Sequence, residues 1–329
     1  MTAPVFAAGD LRADALDQAL RAHGGFFVTP PNDGQFLART LDASRAFFAL
    51  PPAEKAALAI EGSAHFRGWS EMRNERDWRE QLHLGRERRA AGDQPAFRRL
   101  EGPNLWPADA RWRAAVCRYF QAAAKLGELI LKTLASGLGV DPRAFDGIGS
   151  DGYLVAKLIG YHPQPSSVAP RSGVAAHVDF SWLTINLQDS EGLEVRGPDG
   201  DWTAVDVQEG RLWIHAGELL EHATGGRYRA TPHRVLNPSS TRMRVSVPVF
   251  INPPLNDWVD VLTESSPDES PGNASRASEA DHVHRVLAPN TSRQAFHFGR
   301  AEWRRKGLGG WCFACCPRIN DADQIVERR

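Results

Sequence analysis

From Tyr153 to Phe250 the chain consists of short β-rich segments separated by turn signals. Within these segments the sequence follows a period of two residues, and this pattern limits the fold more than any other feature. Successive side chains of a strand point to opposite faces, so such alternation is typical of half-buried strands. The predicted strands are Tyr153–Tyr161, Val174–Phe180, Thr184–Gln188, Leu193–Arg196, Thr203–Asp206, Arg211–His215 and Arg244–Phe250. Many short strands at regular spacing indicate an all-β barrel or a double-sheet sandwich.

Helical patterns precede this β-rich region. Apolar residues at helical spacing predict helices over Leu11–His23, Gln35–Leu50 and about Asp109–Ser136, and Phe26–Val28 is a short predicted strand. Residues 263–281 are rich in Ser, Pro, Asp, Glu, Asn and Gly, which predicts a mobile loop. We therefore expect a mainly β fold with flanking helices. Its predicted parts are a helix-rich region at 1–145, the β core at 146–262, and the loop with a C-terminal extension at 263–329.

The balance of charge argues against two classes of partner. The chain has 39 lysines and arginines against 40 aspartates and glutamates, a net charge of −1. Nucleic acids and anionic membranes are bound through an excess of basic charge, so we expect neither as a partner. The sequence shows no secretory signal and no uninterrupted apolar run as long as a membrane span. We therefore expect a cytoplasmic location.

The cysteines do not point to a disulfide framework or a zinc site. They are Cys117, Cys312, Cys315 and Cys316. A framework would need them spread through a short secreted chain. The pair Cys312 and Cys315 could be half of a zinc site, but no second pair or nearby histidine completes it. We expect structural or incidental thiols.

Three residues form a candidate metal site. His177 and Asp179 lie two apart on a predicted strand, so their side chains project from one face and can chelate one metal ion. His233 follows several strands later and can supply a third ligand. Two histidines and one carboxylate form the facial triad of non-haem Fe(II) oxygenases. A structural hydrogen-bond network is the alternative. His215, on an apolar segment, is expected in the core rather than as a fourth ligand.

A second pair of this kind is a candidate carboxylate receptor. Arg244 and Ser246 lie two apart on a predicted strand, so a guanidinium and a hydroxyl share one face. The planar fork of an arginine binds a carboxylate with two charge-assisted hydrogen bonds. Tyr161 could add a phenolic donor. The alternatives are a structural ion pair for Arg244 and an ordinary barrel position for Tyr161.

Together these residues resemble the isopenicillin N synthase-like family of Fe(II)/2-oxoglutarate-dependent dioxygenases. The resemblance rests on Lys157–Pro165, Gly173–Asp179, Gly217–Glu221, His233–Val235, Arg244–Ser246 and Phe250–Pro254. It implies a double-stranded β-helix (jelly-roll) core and an enzyme that uses Fe(II), 2-oxoglutarate and O₂. It also implies that His177, Asp179 and His233 bind iron, and that Arg244 and Ser246, with Tyr161, bind 2-oxoglutarate.

The resemblance places part of the substrate pocket in the charged stretch Arg67–Arg88, most of whose arginines are otherwise expected to face solvent. The candidate substrate residues are Arg73, Gln81, His83 and Phe250. A buried polar site rejects ligands that leave its groups unpaired. We therefore expect a small polar substrate, an amino acid or a natural-product intermediate. Hydroxylation or desaturation of an unactivated C–H bond would release succinate and CO₂.

Two alternatives to this function remain at the level of sequence. Ile159 stands where the family usually carries Asn, which favours an Fe(II) oxidase of the same fold that does not use 2-oxoglutarate. A non-catalytic jelly-roll binding module is the other alternative. We expect a monomer in which apolar residues near the C-terminus cover the pocket; these are Trp303, Leu308, Trp311 and Phe313.

Overall fold

The chain forms a large and a small β-sheet, with helices on the outer side of the large one. The computed structural model describes residues 3–31, 35–74, 76–90, 95–163, 172–236, 241–262 and 295–308. The helices within these ranges are α1 (Ala13–His23), α2 (Gln35–Phe48), α3 (Pro52–Ala56), α4 (Ala110–Gly137), α5 (Ile148–Asp151), α6 (Glu218–Ala223) and α7 (Phe298–Leu308).

The strands follow the predicted order in the β-rich region, and four strands precede it, of which only the one at Phe26–Val28 was predicted. They are β1 (Val5–Ala7), β2 (Gly25–Thr29), β3 (Gly68–Arg73), β4 (Trp78–Gly85), β5 (Val155–Tyr161), β6 (Ser172–His177), β7 (Leu183–Gln188), β8 (Leu193–Arg196), β9 (Trp202–Ala204), β10 (Leu212–Ala216), β11 (His233–Leu236), β12 (Arg244–Ile251), β13 (Trp258–Val259) and β14 (Phe296–His297).

The two main sheets give the fold its class. The large sheet has the order β1-β2-β10-β7-β12-β5-β4-β3, and the small sheet has the order β6-β11-β8-β9. Their pairs are antiparallel except for β1 and β2. Apolar side chains of both sheets meet in one cluster, including Ile159 and Tyr161 of the large sheet and Val174, Leu193 and Val235 of the small one. This confirms the predicted mainly β fold with flanking helices, and the stacked sheets have the arrangement of a jelly roll.

The helices cover the outer face of the large sheet. Asp109 caps α4 by accepting a hydrogen bond from the Arg111 amide at 2.8 Å, and the apolar stripe of this helix then packs on the sheet. The Tyr119 hydroxyl on the same helix donates to the Val247 carbonyl of β12 at 2.8 Å. The three predicted helices correspond to α1, α2 and α4, which confirms them to within two residues at each end.

One strand prediction was wrong in a way that concerns the metal site. β6 ends at His177, so Asp179 does not share a strand with it. From Val178 the chain crosses from the small sheet to β7 in the large sheet. The Asp179 carbonyl accepts a hydrogen bond from the Glu218 amide at 2.8 Å, outside any strand ladder. The two side chains therefore meet through this crossing and not through strand alternation.

The charged stretch Arg67–Arg88 is more buried than the sequence suggests. It forms β3 and β4, and the Glu80 side chain on β4 is completely buried. Lys55 Nζ lies 2.8 Å from Glu80 Oε2, and Trp69 Nε1 donates to the same oxygen at 2.8 Å. His162 Nε2 lies 2.9 Å from Glu80 Oε1. This carboxylate therefore ties α3 and β3 to the strand that carries Gln81 and His83.

We expect Glu80→Ala to lower the free energy of unfolding by about 3–5 kcal/mol, because it leaves the Lys55 ammonium buried without its partner. Urea denaturation followed by circular dichroism measures the change. Glu71→Ala is the matched control, because Glu71 lies opposite Glu80 in the β3–β4 ladder but pairs with Arg73 at the surface. The control should change the stability by less than about 0.5 kcal/mol. Equal losses in both variants would contradict this account of the carboxylate.

Candidate metal centre and adjoining cavity

The side chains of His177, Asp179 and His233 converge at one point between the two sheets. One ligand atom from each lies within 4.8 Å of the others. The β6–β11 ladder places His233 directly opposite His177, and their ring centroids are 4.2 Å apart. His233 Nε2 lies 3.6 Å from Asp179 Oδ2, and His177 Nε2 lies 3.6 Å from Asp179 Oδ1. The structure thus brings together the three residues that the sequence selected.

Hydrogen bonds orient both imidazoles with the same nitrogen toward the centre. His177 Nδ1 lies 2.9 Å from the Ala175 carbonyl, and His233 Nδ1 lies 3.0 Å from the Thr231 carbonyl. A carbonyl oxygen can only accept, so each Nδ1 carries the proton and each Nε2 keeps its lone pair in the neutral ring. Burial and the nearby His177 lower the pKa of His233 to about 3, so this ring is neutral at physiological pH. Both rings are therefore in the tautomer that binds a metal through Nε2.

Two residues of the large sheet hold the Asp179 carboxylate. Thr184 Oγ1 donates to Oδ2 at 2.6 Å, and His215 Nε2 lies 3.0 Å from the same oxygen. Thr184 and His215 face each other in the β7–β10 ladder. Burial by itself would raise the pKa of Asp179, but the interactions with His233, His177 and His215 hold it well below its usual range. The carboxylate is therefore ionised and fixed in orientation.

His215 lies in the core, as the sequence suggested, but it also contacts the metal-site carboxylate. Neither this contact nor the place of Thr184 beside the carboxylate was predicted from the sequence. The signal was present in β7, whose sequence LTINLQ alternates apolar residues with Thr184, Asn186 and Gln188. Polar residues at a period of two on a fully buried strand indicate a polar interior surface.

A cavity of about 210 Å³ opens beside this centre and has Arg244 in its wall. The Arg244 side chain is nearly inaccessible, with 1% of the residue exposed. Its Nη2 donates to Gln188 Oε1 at 2.8 Å, and its Nε donates to the Glu191 carbonyl at 2.9 Å. Burial lowers the pKa of Arg244, but an arginine stays protonated in proteins. Its Nη1 is buried and makes no hydrogen bond within the described residues.

Tyr161 and Ser246 lie where the sequence placed them, in the wall beside Arg244. Tyr161 is the cross-strand neighbour of Arg244, and its ring centroid lies 4.8 Å from the guanidinium carbon. Gly173 leaves room for this ring, because a Cβ there would stand 2.7 Å from Tyr161 Cδ1. Ser246 lies between Ile159 and Gln188 in the ladders of β12. Ile159 thus adds an apolar patch to the wall, and Gln188 is the amide that contacts Arg244.

Three of the four residues predicted for the substrate line the same cavity. Gln81, His83 and Phe250 are among its walls. Arg73 does not line the cavity, so its predicted place in the substrate pocket was wrong. In the β3–β4 ladder Arg73 faces Trp78, whereas Gln81 faces Ser70, and side chains directly opposite each other share a face. Arg73 therefore lies on the outer face of the sheet, where it binds Glu71.

A second set of charged residues in the cavity wall was not predicted from the sequence. They are Arg79 of β4, Lys157 of β5, and Glu302, Arg305 and Lys306 of α7. Strand alternation could have found Arg79 and Lys157, since each lies two residues from a wall residue of its strand. The residues of α7 could not be found in this way, because the chain reaches them through the stretch at 263–294, outside the described residues.

The remaining predictions concern the termini and the cysteines. Cys117 is a free, partly buried thiol on α4. Cys312, Cys315, Cys316, Trp311 and Phe313 lie outside the described residues, as does the predicted loop at 263–281. Trp303 packs edge-on against Phe66 rather than over the cavity wall described above. None of the described helices has the length and apolar character needed to cross a bilayer.

Two family models match this chain. Residues 150–253 match the 2OG-Fe(II) oxygenase superfamily, and residues 7–109 match the N-terminal region of the non-haem dioxygenases in morphine synthesis. Together the matches include the whole metal site, the Arg244–Ser246 pair and the β3–β4 hairpin. The fold of the chain is also similar to that of a Neurospora crassa protein whose structure was solved with alpha-KG (2-oxoglutarate) and thymine. That similarity has a TM-score of 0.70 and 22% identity, and it covers 92% of this chain and 95% of that one.

Two curated relatives extend the comparison. The homoarginine-6-hydroxylase 2-ODD-C23.2 of Arabidopsis thaliana is 29% identical over 71% of this chain and 68% of its own length. The 2-oxoglutarate-Fe(II) type oxidoreductase hxnY of Emericella nidulans is 31% identical over 82% of this chain and 80% of its own length. With the family match across the metal site, this similarity identifies the chain as an enzyme of the 2OG-Fe(II) oxygenase superfamily.

Proposed function

We propose that this enzyme hydroxylates or desaturates an unactivated C–H bond of a small polar substrate, an amino acid or a natural-product intermediate, and releases succinate and CO₂. The observation that carries the proposal is one cavity that joins a two-histidine, one-carboxylate centre to a buried guanidinium with an unused donor. The similarity to a homoarginine-6-hydroxylase supports an amino acid as the substrate class.

The family uses Fe(II), 2-oxoglutarate and O₂, and the residues of this chain fit these cofactors. Two neutral imidazoles and one carboxylate are the ligand set of non-haem Fe(II) sites, and we assign His177, Asp179 and His233 to the iron. Arg244 has a buried Nη1 that lacks a partner within the described residues, which a carboxylate would satisfy. We therefore assign Arg244, with Ser246 and Tyr161 beside it, to 2-oxoglutarate.

When bound, these cofactors supply the oxidising chemistry, in which 2-oxoglutarate loses CO₂ to become succinate while the substrate C–H bond is oxidised. The chain supplies ligation and orientation. Thr184 and His215 fix the Asp179 carboxylate, and the Ala175 and Thr231 carbonyls fix the two imidazoles. The apolar cluster around Ile159 excludes water from the cavity floor, which strengthens every polar interaction within it.

We expect His233→Ala to abolish tight Fe(II) binding, because it removes one of three protein ligands. His215→Ala should lower the Fe(II) affinity by roughly 10–100-fold, because it releases the Asp179 carboxylate without removing a ligand. Anaerobic equilibrium dialysis measures both affinities. His23→Ala, at the end of α1, is the control and should bind iron as the parent protein does. Unchanged metal content in His233→Ala would contradict the assignment of the ligands.

We expect Arg244→Ala to raise the KM for 2-oxoglutarate on the order of a hundredfold, since truncating one member of a buried charge pair costs about 2–5 kcal/mol. Arg244→Lys should also be impaired, because lysine lacks the planar fork. Succinate formation at varied 2-oxoglutarate gives the KM, and Arg12→Ala, at an exposed position, serves as the control. An unaltered KM would overturn the assignment of Arg244 to 2-oxoglutarate. O₂ uptake that does not require 2-oxoglutarate would instead support an Fe(II) oxidase of the same fold.

The substrate class is tested by a panel of free amino acids and flavonoids, scored by substrate-stimulated succinate release. We expect stimulation by members of the amino-acid group, because polar side chains such as Gln81 and His83 line the cavity. Flavonoids are planar and largely apolar, so they would leave these groups unpaired. Stimulation by flavonoids alone would overturn the proposed substrate class and leave the assignment of iron and 2-oxoglutarate intact.

A further inference from the structure

The cavity wall holds more positive charge than the metal centre and 2-oxoglutarate account for. Apart from Arg244, four cationic side chains line it, namely Arg79, Lys157, Arg305 and Lys306. The carboxylates next to them are Glu302 in the wall and Asp77 beside Arg79. Because Asp179 serves the metal site, the four cations face only two carboxylates among the described residues. The substrate part of the cavity therefore has an excess of two positive charges.

Ion pairs within the protein already use three of these cations. Glu302 is 2% exposed, and it accepts from Arg305 Nε at 2.6 Å and from Arg305 Nη2 at 2.7 Å. Lys306 Nζ lies 3.5 Å from the same carboxylate. Arg79 Nη2 lies 3.2 Å from Asp77 Oδ1. These cations add positive potential to the cavity, but their donors are partly occupied.

Lys157 differs from the other three. Its side chain points into the cavity from the inner face of β5, two residues from Ile159 and four from Tyr161. Its ammonium has no carboxylate partner and no hydrogen bond among the described residues, and it lies 5.3 Å from the centroid of the Phe250 ring. Lys157 is half-buried, and an ammonium that is partly removed from water without a partner favours the binding of an anion.

The electrostatics of the neighbouring groups agree with this geometry. The pKa of Lys157 is lowered to about 8, mainly by burial and to a smaller extent by repulsion from Arg79, Lys306 and Arg305. The lysine is therefore still mainly protonated at neutral pH, and no described carboxylate pairs with its positive charge. Burial and the charge of Lys157 likewise keep the pKa of His83 well below its usual range. His83 is thus a neutral imidazole whose buried Nε2 makes no hydrogen bond in the described part of the chain.

The surface next to Lys157 is apolar and suits the hydrocarbon part of a ligand. Met72, Val155, Phe180 and Phe250 line the cavity on this side. Phe180 is held in place by a stacked contact with Phe298, the first residue of α7, at a centroid distance of 5.9 Å. A ligand here can therefore place a charged end on the lysine and an apolar part against these walls.

We propose that Lys157 binds a carboxylate of the substrate, and that the substrate is a small organic anion with a compact hydrocarbon body. This inference rests on the proposed function and narrows its substrate class. Arg79, Arg305 and Lys306 strengthen the site through their field, and α7 thereby takes part in substrate selection. A cationic group on the side chain of the substrate would be repelled by these same cations, so acidic and neutral side chains are favoured over basic ones.

The test compares an acid with its neutral isostere on the intact enzyme. Phenylacetate and phenylacetamide have the same size, and only the first carries a charge. Each is titrated by calorimetry into the anaerobic complex with Fe(II) and saturating 2-oxoglutarate, so that Arg244 is not free to bind the probe. We expect the Kd of phenylacetate to be at least about tenfold lower than that of phenylacetamide, because a hydrogen bond between charged groups is stronger than one to a neutral group.

Three variants assign this preference to the lysine. Lys157→Gln should reduce it to less than about threefold, whereas Lys157→Arg should retain it because the charge remains. Arg73→Gln is the matched control, because it removes a cation from the outer face of the neighbouring hairpin and should retain the full preference. Thermal melting of each variant verifies folding. If Lys157→Gln does not fold, the comparison of Lys157→Arg and Lys157→Met takes its place.

Each contrary result has a distinct meaning. Equal affinity of the two probes in the parent enzyme, or an unchanged preference in Lys157→Gln, would overturn the proposal. A higher KM for 2-oxoglutarate in Lys157→Gln with an unchanged probe preference would assign the lysine to the cosubstrate, which also overturns it. Failure of the proposed function is a separate outcome, in which the parent enzyme with Fe(II) forms no succinate from 2-oxoglutarate with any substrate.

Discussion

The pairing of β11 with β6 sets His233 directly opposite His177, and the rest of the site depends on this register. A slip by one residue would turn one of the imidazoles to the other face of the small sheet. The third proposed ligand comes from the crossing between the sheets, where Asp179 is held by Thr184 and His215 of the large sheet. The candidate metal centre therefore forms only while the two sheets keep their relative position. The apolar cluster between them and the helices behind the large sheet maintain that position.

The same arrangement explains why so much polarity is buried in the large sheet. Its inner face carries Thr184, Gln188 and Ser246 at the centre and Gln81 and Lys157 toward one edge. A buried polar group is costly unless it is paired. Thr184, Gln188 and Gln81 have hydrogen-bond partners within the protein, whereas Arg244 Nη1 and the Lys157 ammonium have none among the described residues. These two groups lie at the two places where we propose that carboxylates bind, one from 2-oxoglutarate and one from the substrate. α7 contributes to the second place, so a helix distant in sequence helps to determine which substrate is accepted.

Much of the fold was predictable because its signals are local. The period of two in the core segments and the helical spacing before them indicated every strand from β5 to β10 and the three long helices. The pairs His177 with Asp179 and Arg244 with Ser246 were found from their spacing. For the first pair the spacing was right but the reason was wrong, since β6 ends at His177. Arg73 was misplaced because the turn between β3 and β4, which decides which residues share the inner face, has no strong signal in the sequence. The domain boundaries and the monomeric state remain predictions.

The sequence by itself determined the class of the fold, the ligand types of the metal site and the arginine that faces it, because these follow from residue identity and short-range periodicity. Only the tertiary structure decided that His215 supports Asp179, that Gln188 occupies one side of Arg244, and that Arg79, Lys157 and α7 form a cationic wall. These are contacts between elements far apart in the chain. Their partners are set by how the sheets stack and where the helix docks, and a pattern within one segment carries no information about either.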